Sequence, residues 1–460
     1  MANNKSFSNR HIDIAERDKE TLLAWRVAPN VVLESGRGCI VTDVDGNNYY
    51  DMNAGMMCMV IGHSHPEITE VIHEQAGKLI HESSWFTNPN IVELGELIAS
   101  TLPGDLNVVN FCVTGSEAVE IGMRMAVGVT GKHDLVSVIR GLHGGSLGVE
   151  SMTTIGGARR RNLGPLMIPA KSAAILAPFC YRCPINLEYP SCDIACLKTS
   201  RDLIESVTSS EVAALMTETM MVAGGMIVPP DEWLPRMRRL ADEHQAMLLL
   251  DEAQFAPAKT GRMWGFQHYD VQPDVVAFAK GMSAGFAICG TVTTKEIADQ
   301  ARSKAGIPWG GTYSGDPLAA AVALKSLQIV LRDNLTERAA ALGATLREKL
   351  DALQKKYDCV GDVRGKGLYQ MLDIVTDKES REPDFLMAER IRYNAVELGV
   401  LFICIQNFIR ISPPLIISEE EIDDFVGRLE KAIQRAVAGH PRDLDLSKQS
   451  HSLMPVVGHA

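Results

Sequence analysis

Three short segments place reactive side chains beside small residues at the ends of apolar runs. Lys280 follows one such run, so its amine stands where a buried strand would end and could form a Schiff base with an aldehyde. Asp251 closes a second apolar run, and a carboxylate in such a place needs a partner. Gly115 and Ser116 join a third apolar run to a helical pattern, and the start of a helix offers free N–H groups to an anion.

Each of these segments alone also fits an ordinary structural role, as a helix cap, a paired strand-end charge or a solvated lysine. Together they are the set that pyridoxal 5'-phosphate chemistry needs. The cradle anchors a phosphate, the aspartate holds the pyridine nitrogen and the lysine carries the aldehyde carbon. The sequence therefore predicts a pyridoxal phosphate enzyme whose reacting amine is Lys280.

The elements that position these side chains alternate between short apolar runs and longer stretches with helical periodicity. The runs with the length and branching of buried strands are 107–113, 134–139, 212–216, 246–250 and 274–279. Helical patterns lie between them, for example at 117–129 and 235–244. Strands that are buried on both faces and alternate with helices predict an α/β fold with a mostly parallel sheet.

The two ends of the chain have a different pattern. Residues 37–52 predict a hairpin that turns at Asp45-Gly46-Asn47, and residues 334–357 predict a long amphipathic helix. Ser418 and Glu421 have the spacing of a capping box at the start of a last helix. These patterns predict a smaller α+β domain assembled from both ends. The expected division is 1–61 and 326–438 for the smaller domain, 62–325 for the large cofactor-binding domain and 439–460 for a loosely ordered tail.

The composition is that of an ordinary globular protein and excludes disordered and fibrous classes. Hydrophobic residues make up 46% and charged residues 22% of the 460 residues. Lys+Arg 45 against Asp+Glu 57 leaves a net charge of −12. That balance argues against nucleic acid or an anionic membrane as the main partner.

Ten cysteines and a polar start favour a cytoplasmic enzyme. No apolar run reaches roughly 18 residues, so no membrane segment is expected. The four cysteines at 180, 183, 192 and 196 lie close enough in sequence to suit zinc, but a plain loop is favoured and no metal is expected.

Many short motifs also occur in register along the chain. They are Gly62-His63-Ser64-His65-Pro66-Glu67, Thr114-Gly115-Ser116-Glu117-Ala118, Leu142-His143-Gly144-Gly145, Asp251-Glu252-Ala253-Gln254, Thr260-Gly261, Pro273-Asp274, Lys280-Gly281, Gly311-Thr312 and Arg364-Gly365-Lys366-Gly367-Leu368. With them, residues 25–435 resemble a class III pyridoxal phosphate-dependent aminotransferase of fold type I. The stretches DEAQ, YDCVGDVRGKGL and RISPPLIISEEEID look closest to the dialkylglycine decarboxylases, and the family also includes amino-phosphonate and amino-phosphate lyases. The resemblance implies a homodimer with both active sites at its interface.

The resemblance also implies a role for each residue of the cofactor site. Lys280 would form the Schiff base with the cofactor and move protons at the substrate's Cα, and Asp251 would bind the pyridine nitrogen. Gly115 and Ser116 would hold the phosphate, and Thr312 would reach the phosphate of the neighbouring subunit. The other cofactor contacts would come from Leu142, His143, Glu218 and Gln254.

On the substrate side the chain departs from the family pattern. Arg410 matches the arginine that grips a substrate carboxylate, and its guanidinium fork binds a phosphonate or phosphate as readily. Met56 replaces a glutamine of the decarboxylases, and its thioether cannot donate the hydrogen bond that orients a departing carboxylate. Leu142 replaces a ring-stacking aromatic, and Lys259 replaces an arginine. With Met56 and Arg410, Ser84 is expected to contact the substrate.

Two reactions fit this frame. The first expectation is an aminotransferase that moves the amino group of a small, acidic primary amine or amino acid to a keto acid. The alternative is a lyase that releases ammonia or phosphate from a small amino-phosphonate or amino-phosphate, such as 1-hydroxy-2-aminoethylphosphonate. Few residues separate these outcomes, because both begin by removing the Cα proton. A non-catalytic cofactor-binding protein is disfavoured because Lys280 and Asp251 are both retained.

Overall fold

The computed structural model describes residues 7–23, 31–155, 171–304 and 310–441. The helices are α1 (Asn9–Thr21), α2 (Ala54–Met57), α3 (Pro66–Ala76), α4 (Pro89–Ser100), α5 (Gly115–Thr130), α6 (Leu147–Met152), α7 (Ala195–Val207), α8 (Trp233–Glu243), α9 (Lys295–Lys304), α10 (Pro317–Arg332), α11 (Leu335–Lys356), α12 (Phe385–Glu397) and α13 (Glu419–Val437). The strands are β1 (Leu33–Arg37), β2 (Ile40–Asp43), β3 (Asn48–Asp51), β4 (Leu106–Cys112), β5 (Asp134–Val138), β6 (Lys171–Ile175), β7 (Val212–Glu218), β8 (Met247–Asp251), β9 (Val275–Phe278), β10 (Cys289–Thr294), β11 (Val360–Lys366), β12 (Tyr369–Ile374), β13 (Val400–Leu401), β14 (Ile403–Ile405) and β15 (Phe408–Ile411). None of the described helices combines the length and apolar character that crossing a bilayer requires.

A seven-stranded sheet forms the centre of the fold, in the spatial order β4-β10-β9-β8-β7-β5-β6. Strands β5 to β9 pair in parallel, and β10 pairs antiparallel with both β4 and β9. Every residue of β5, β7, β8 and β9 is buried, because these strands carry apolar side chains on both faces. The α/β class with a mostly parallel sheet is confirmed, and each of the five predicted strands is present within one or two residues of its expected bounds.

Helix α5 packs closely on this sheet and brings its first residues to one edge. A Cβ atom on Gly122 would lie 2.6 Å from Cδ1 of Leu249, so only glycine lets the helix approach β8 this closely. The residues of α5 that face the sheet are buried, among them Ala118 and Val119. The helix therefore begins beside the carboxyl ends of the strands, where α/β proteins bind ligands.

Segments from both ends of the chain form two further four-stranded sheets, ordered β1-β2-β3-β13 and β11-β12-β15-β14. Strand β13 pairs in parallel with β3 through Val400 and Tyr50, which joins the two ends. The predicted hairpin is β2–β3, with Oδ1 of Asp43 accepting a hydrogen bond from the N–H of Asn47 at 2.8 Å. Strand β1, which pairs with β2, was not predicted.

The capping box on the last helix is confirmed. The N–H of Glu421 donates to Oγ of Ser418 at 3.1 Å, and the N–H of Ser418 donates to Oε2 of Glu421 at 2.8 Å. The division into domains stays a proposal, since helix α10 runs across the expected boundary at residue 325. Most of the expected tail, residues 442–460, lies outside the described residues.

Candidate active site

The carboxyl ends of three neighbouring parallel strands bring acidic and basic side chains to one edge of the central sheet. Glu218 ends β7 and Asp251 ends β8, and the two residues pair in register. Lys280 lies two residues beyond the end of β9, whose Ala277 pairs with Asp251. The amine and the carboxylate singled out in the sequence therefore meet at the edge where the fold binds ligands.

Asp251 is 4% exposed, and both of its carboxylate oxygens are held by its own chain. Nδ1 of His143 lies 2.9 Å from Oδ2, and the N–H of Ala253 donates to Oδ1 at 3.0 Å. Nε2 of His143 is buried and has no hydrogen-bond partner within the described chain. An unpartnered buried nitrogen of this kind is an atom that a bound cofactor or a water satisfies.

Glu218 is a buried acid that accepts hydrogen bonds at both oxygens. The N–H of Leu142 donates to Oε1 at 2.9 Å, and Nε2 of Gln254 donates to Oε2 at 3.2 Å. Burial first, and the charge of Asp251 second, raise the pKa of Glu218 from its ordinary 4.5 to about 8. The carboxyl group is therefore mostly protonated at neutral pH. The hydroxyl of Tyr369 extends this network by donating to Oε1 of Gln254 at 3.2 Å.

The start of helix α5 forms an anion cradle. Thr114 caps the helix, because its Oγ1 accepts a hydrogen bond from the N–H of Glu117 at 3.1 Å. The N–H groups of Gly115 and Ser116 have no acceptor among the residues described. Oγ of Ser116 accepts a hydrogen bond from the N–H of Gly145 at 3.0 Å, which ties the cradle to the loop after β5. Two free N–H groups at the positive end of the helix suit a phosphate.

Lys280 occupies a strained backbone position. Its φ of 39° lies in the left-handed region, which costs a non-glycine residue roughly 1–3 kcal/mol and is typical of active sites. The hydroxyl of Ser283 donates to the carbonyl of Lys280 at 2.6 Å and fixes the turn. A Cβ atom on Gly281 would lie 2.7 Å from the carbonyl oxygen of Ala256, so this turn packs tightly against the loop after β8. The amine is thus presented at the strand ends by a rigid turn.

Arg410 lies on β15 and is 4% exposed. Its Nη2 donates to Oδ1 of Asn53 at 2.7 Å and lies 3.8 Å from Sδ of Met56. Its Nε has no hydrogen-bond partner in the part of the chain that the structure describes, and no described carboxylate oxygen lies within 4.0 Å of the guanidinium. Met56 is 53% exposed, so the part of the site next to Arg410 is open to solvent where the Met56 thioether lies.

Leu142 is half-buried and packs against Ile155, Ala223 and Ile405. Ser84 and Thr312 are exposed, and neither joins the hydrogen-bond network of Asp251 or Glu218 among the described residues. The segments of Ser84 and Thr312 are neighbours, because a Cβ atom on Gly310 would lie 3.4 Å from Cβ of Ser84. Thr312 also follows Gly311, which lies beside Glu117 at the start of α5.

Two residues of the site were missed in the sequence. Tyr369 is fully buried beside Gln254, and the only signal for it was its position directly after the Arg364 to Leu368 motif. Asn53 orients Arg410, but it lies in a methionine-rich run without a recognisable spacing.

The four closely spaced cysteines line a cavity of about 20 Å³ and are free thiols. Burial raises the pKa of the Cys196 thiol to about 11, and it also raises the pKa of Cys180. Zinc binds the thiolate, which a raised pKa disfavours. The expectation of no metal stays a prediction.

These features fit pyridoxal phosphate. Asp251 is a fixed, buried carboxylate for a ring nitrogen, and the start of α5 has two unpartnered N–H groups for a phosphate. His143 adds an unpartnered buried nitrogen, and Lys280 is an amine at the same edge. Fold and site together define a pyridoxal phosphate enzyme.

Comparisons with known proteins agree with this assignment to the pyridoxal phosphate enzymes. The family model described as aminotransferase class-III matches residues 24–433. The chain is 31% identical over 419 residues to the leucine/methionine racemase of Thermococcus litoralis, covering 90% of this chain and 93% of that protein. It is 33% identical over 435 residues to the adenosylmethionine-8-amino-7-oxononanoate aminotransferase of Geobacter sulfurreducens, covering 90% and 94%. The solved structure of an amine transaminase from an uncultivated Pseudomonas species, in its pyridoxal phosphate-bound form, is similar with a TM-score of 0.85 at 32% identity, covering 90% and 98%.

The chain therefore belongs to the class III aminotransferase family, with the fold type I architecture of that structure. Its cofactor is pyridoxal 5'-phosphate, and it is a pyridoxal phosphate-dependent transaminase. The family resemblance seen in the motifs is confirmed, and the closeness to the dialkylglycine decarboxylases stays a prediction.

Proposed function

We propose that this transaminase acts on a small primary amine or amino acid whose acidic group is bound by Arg410. The observation that carries the proposal is the state of Arg410, a buried guanidinium with an unpartnered Nε and no described carboxylate within 4.0 Å. A buried charge without a counter-ion is costly, and a guanidinium fork matches a carboxylate or phosphonate in shape. The acidic group of the substrate would be the counter-ion that Arg410 lacks.

The amino group of the substrate would then lie near Lys280. Lys280 Nζ would hold the cofactor until the substrate's amine displaces it, and the freed amine would then move the proton at the substrate's Cα. Asp251, oriented by His143, keeps the ring nitrogen protonated. When bound, the cofactor supplies an electron sink for the charge left at Cα. The chain's own contribution is to hold these groups in line and to move one proton.

The remaining residues fix the cofactor's position. Gly115 and Ser116 offer their N–H groups to the phosphate. Gln254, which is held by Glu218, would contact the ring's hydroxyl, and Leu142 would cover one face of the ring with an aliphatic contact. These roles, like those of Ser84 and Met56 as substrate contacts, follow from the family pattern and from their place around the strand ends.

The proposal includes a homodimer in which Thr312 serves the partner's phosphate site. Trp85 and Phe86 are 91% and 73% exposed, and Tyr313 is 59% exposed, so large apolar side chains surround Ser84 and Thr312. Exposed apolar patches of this kind are typical of interfaces. Sedimentation of the wild type should give a dimer, whereas Trp85→Glu should shift it towards monomer with loss of activity. A monomeric, active wild type would contradict this part of the proposal.

Elimination is the second candidate reaction, because it shares the same first step. The Arg410 side contains no described carboxylate within 4.0 Å of its guanidinium, which suits a phosphonate or phosphate substrate as well as a carboxylate. Loss of the Cα proton would let the neighbouring C–O bond break, and the oxygen would leave as phosphate or, with a proton, as water. Water would then hydrolyse the released enamine to ammonia and a carbonyl product, and no keto acid would be needed.

One experiment separates these reactions. The pyridoxal phosphate-loaded enzyme is mixed with a panel of amines, amino acids and amino-phosphonates without a keto acid, while cofactor absorbance, free ammonia, phosphate and amino acid chirality are followed. We expect a single conversion of the cofactor to its pyridoxamine form and turnover only after a keto acid is added. Ammonia or phosphate that accumulates over many turnovers would establish the lyase instead. Loss of chirality without a keto acid would establish racemisation, the activity named for the Thermococcus litoralis relative.

We place the enzyme in the cytoplasm. All ten cysteines are free thiols, which suits a reducing compartment. Cell fractionation tests this, and recovery of the protein in an extracytoplasmic fraction would contradict it.

A further inference from the structure

Lys259 is a fully buried lysine that the proposed chemistry does not use. It lies in the loop after β8 and is 1% exposed. Its Nζ donates to Oγ of Ser412 at 3.3 Å, and no carboxylate oxygen of the described residues lies within 4.0 Å of it. A buried ammonium without a counter-ion is strongly unfavourable, so the chain holds this amine without the partner that its charged form needs.

The titratable and charged groups that act on Lys259 belong to several elements. The amine lies 5.7 Å from the ring centroid of Tyr369 on β12. After burial, Cys58 has the largest influence and favours protonation of Lys259, Arg410 and Lys280 disfavour it, and Asp51 favours it least. Burial is the largest cause and holds the pKa of Lys259 well below its ordinary value.

Lys259 and Arg410 share one wall of the site. Ser412, the hydrogen-bond partner of Lys259, is two residues beyond Arg410 in the chain, and Tyr369 interacts with both basic groups. Burial raises the pKa of Tyr369, so its hydroxyl stays protonated and cannot serve as the missing anion. The wall therefore has two basic groups, Arg410 and Lys259, and no described acid in contact with either.

We propose that Lys259 is a second anion-binding residue, which with Arg410 selects substrates whose acidic group carries two negative charges, such as a phosphonate or phosphate. The inference rests on the proposed function, in which Arg410 binds the substrate's acid. A carboxylate brings one charge and satisfies Arg410 alone. A tetrahedral dianion brings a second charge, which makes protonation of the Lys259 amine favourable. Binding then takes up a proton from the buffer onto Nζ.

The test is calorimetric titration of the holoenzyme with anions that lack an amine and cannot react. The probes are ethylphosphonate, ethyl phosphate and propionate, in two buffers of different ionisation enthalpy at a pH where the first two are dianions. The wild type should bind the dianions at least about tenfold more tightly than propionate, with uptake of close to one proton per site. Stronger binding of one dianion than the other identifies which of the two substrate classes the wall fits.

Two variants separate charge from structure. Lys259→Met removes the amine and should lose the tenfold preference and the proton uptake, while propionate affinity stays within about twofold. Lys259→Arg carries a permanent charge, so it should keep the preference and lose the uptake. Lys259→Met should keep the thermal midpoint of the wild type within a few degrees, because it adds no charge, whereas Lys259→Arg should lower it in the absence of an anion, because its permanent charge is buried without a counter-ion.

The outcomes distinguish this inference from the proposed function. If Lys259→Met binds ethylphosphonate like the wild type, or if Lys259→Arg takes up as many protons, Lys259 is not an anion-binding residue. Arg410→Met should weaken propionate and ethylphosphonate alike. Unchanged binding of both probes by Arg410→Met would refute the proposed function itself, whatever the Lys259 variants do.

Discussion

On the cofactor side of the site the two acids, Asp251 and Glu218, have hydrogen-bond partners on their own chain, whereas on the substrate side the two bases, Arg410 and Lys259, have no described counter-ion. Asp251 accepts hydrogen bonds at both oxygens, and so does Glu218. Arg410 and Lys259 are as deeply buried, but each has a neutral oxygen as its partner and no described carboxylate within 4.0 Å.

This difference fits a cofactor that stays bound on one side and a substrate that binds and leaves on the other. A cofactor that stays bound through every turnover needs a rigid frame, and a network of satisfied acids provides one. A substrate that enters and leaves must itself supply the charge that stabilises its site, so the substrate side is left electrostatically incomplete. Changes on the cofactor side should therefore lower kcat or cofactor retention, and changes on the substrate side should raise KM.

The largest effect is expected for Lys280→Ala. Without the amine no group on the chain moves the Cα proton, so kcat should fall by at least about 10³-fold. The absorbance of the bound cofactor should also lose the signature of a lysine-linked form. Lys295→Ala, on the exposed start of α9, is the matched control and should keep full activity. A slow but cofactor-linked Lys280→Ala enzyme would mean that another lysine does this work.

Asp251→Asn should be the next most damaging change. Asparagine keeps the shape but loses the negative charge that keeps the ring nitrogen protonated, and it leaves Nδ1 of His143 beside a neutral group. We expect kcat to fall by about 10²–10³-fold with little change in KM. Asp299→Asn, on the exposed surface of α9, serves as control. A rise in KM alone would put Asp251 on the substrate side and break the contrast drawn here.

Arg410→Met tests the substrate side, where we expect a change in KM and not in kcat. Loss of a buried charge that pairs with the substrate's acid should raise KM for acidic amines by about 10²-fold. A neutral amine, such as an arylalkylamine, should lose little. Steady-state kinetics with both substrate types checks this, and Arg302→Met on α9 is the control. Equal losses for acidic and neutral amines would show that Arg410 supports the structure of the site and does not bind the substrate's acidic group.

Glu218→Gln tests the cofactor side through the pH dependence of thermal stability. The pKa of Glu218 is raised to about 8 in the folded state, so the proton it keeps stabilises the fold fully below its ordinary 4.5. That contribution is lost as pH rises through about 8. The thermal midpoint of the wild-type holoenzyme should therefore fall between about pH 5 and pH 8 more steeply than that of Glu218→Gln, by roughly 1–3 °C, and the two slopes should agree above that range. Glu243→Gln, in an exposed ion pair, should leave the wild-type slope unchanged. Parallel curves for wild type and Glu218→Gln would mean that Glu218 is ionised in the fold.

Local features of the site could be predicted from the sequence. Lys280 and Asp251 each end an apolar run, and the capping box at Ser418 spans only four residues, so neighbours along the chain carried the signal. The strands of the central sheet were predictable for the same reason, because burial on both faces gives each one a continuous apolar run.

The resemblance predicted Arg410, Met56 and Ser84 as substrate contacts, but the partners of buried site residues could not be predicted, because those contacts join distant parts of the chain. Asn53 and Arg410 are 357 residues apart, and Gln254 and Tyr369 are 115 apart. Lys259 was visible only as a departure from the family's arginine, and its burial without an acid depends on three separate elements. The role that we propose for Thr312, at the phosphate site of a partner subunit, depends on a second copy of the chain, which no periodicity within one chain reveals.

The smallest effect is expected on the cofactor side, for Leu142→Phe. An aromatic ring over the cofactor would add a stacking contact worth about 0.5–1.5 kcal/mol, so cofactor dissociation should slow by roughly two- to tenfold. Leu142 is only half-buried and packs against the cluster of Ile155, Ala223 and Ile405, so a larger side chain can extend towards solvent. Dilution of the holoenzyme into cofactor-free buffer measures the loss rate, with Leu187→Phe, at an exposed position, as control. Faster cofactor loss in Leu142→Phe than in the wild type would show that the aliphatic side chain is the better fit, and that this part of the cofactor side is shaped for something other than ring stacking.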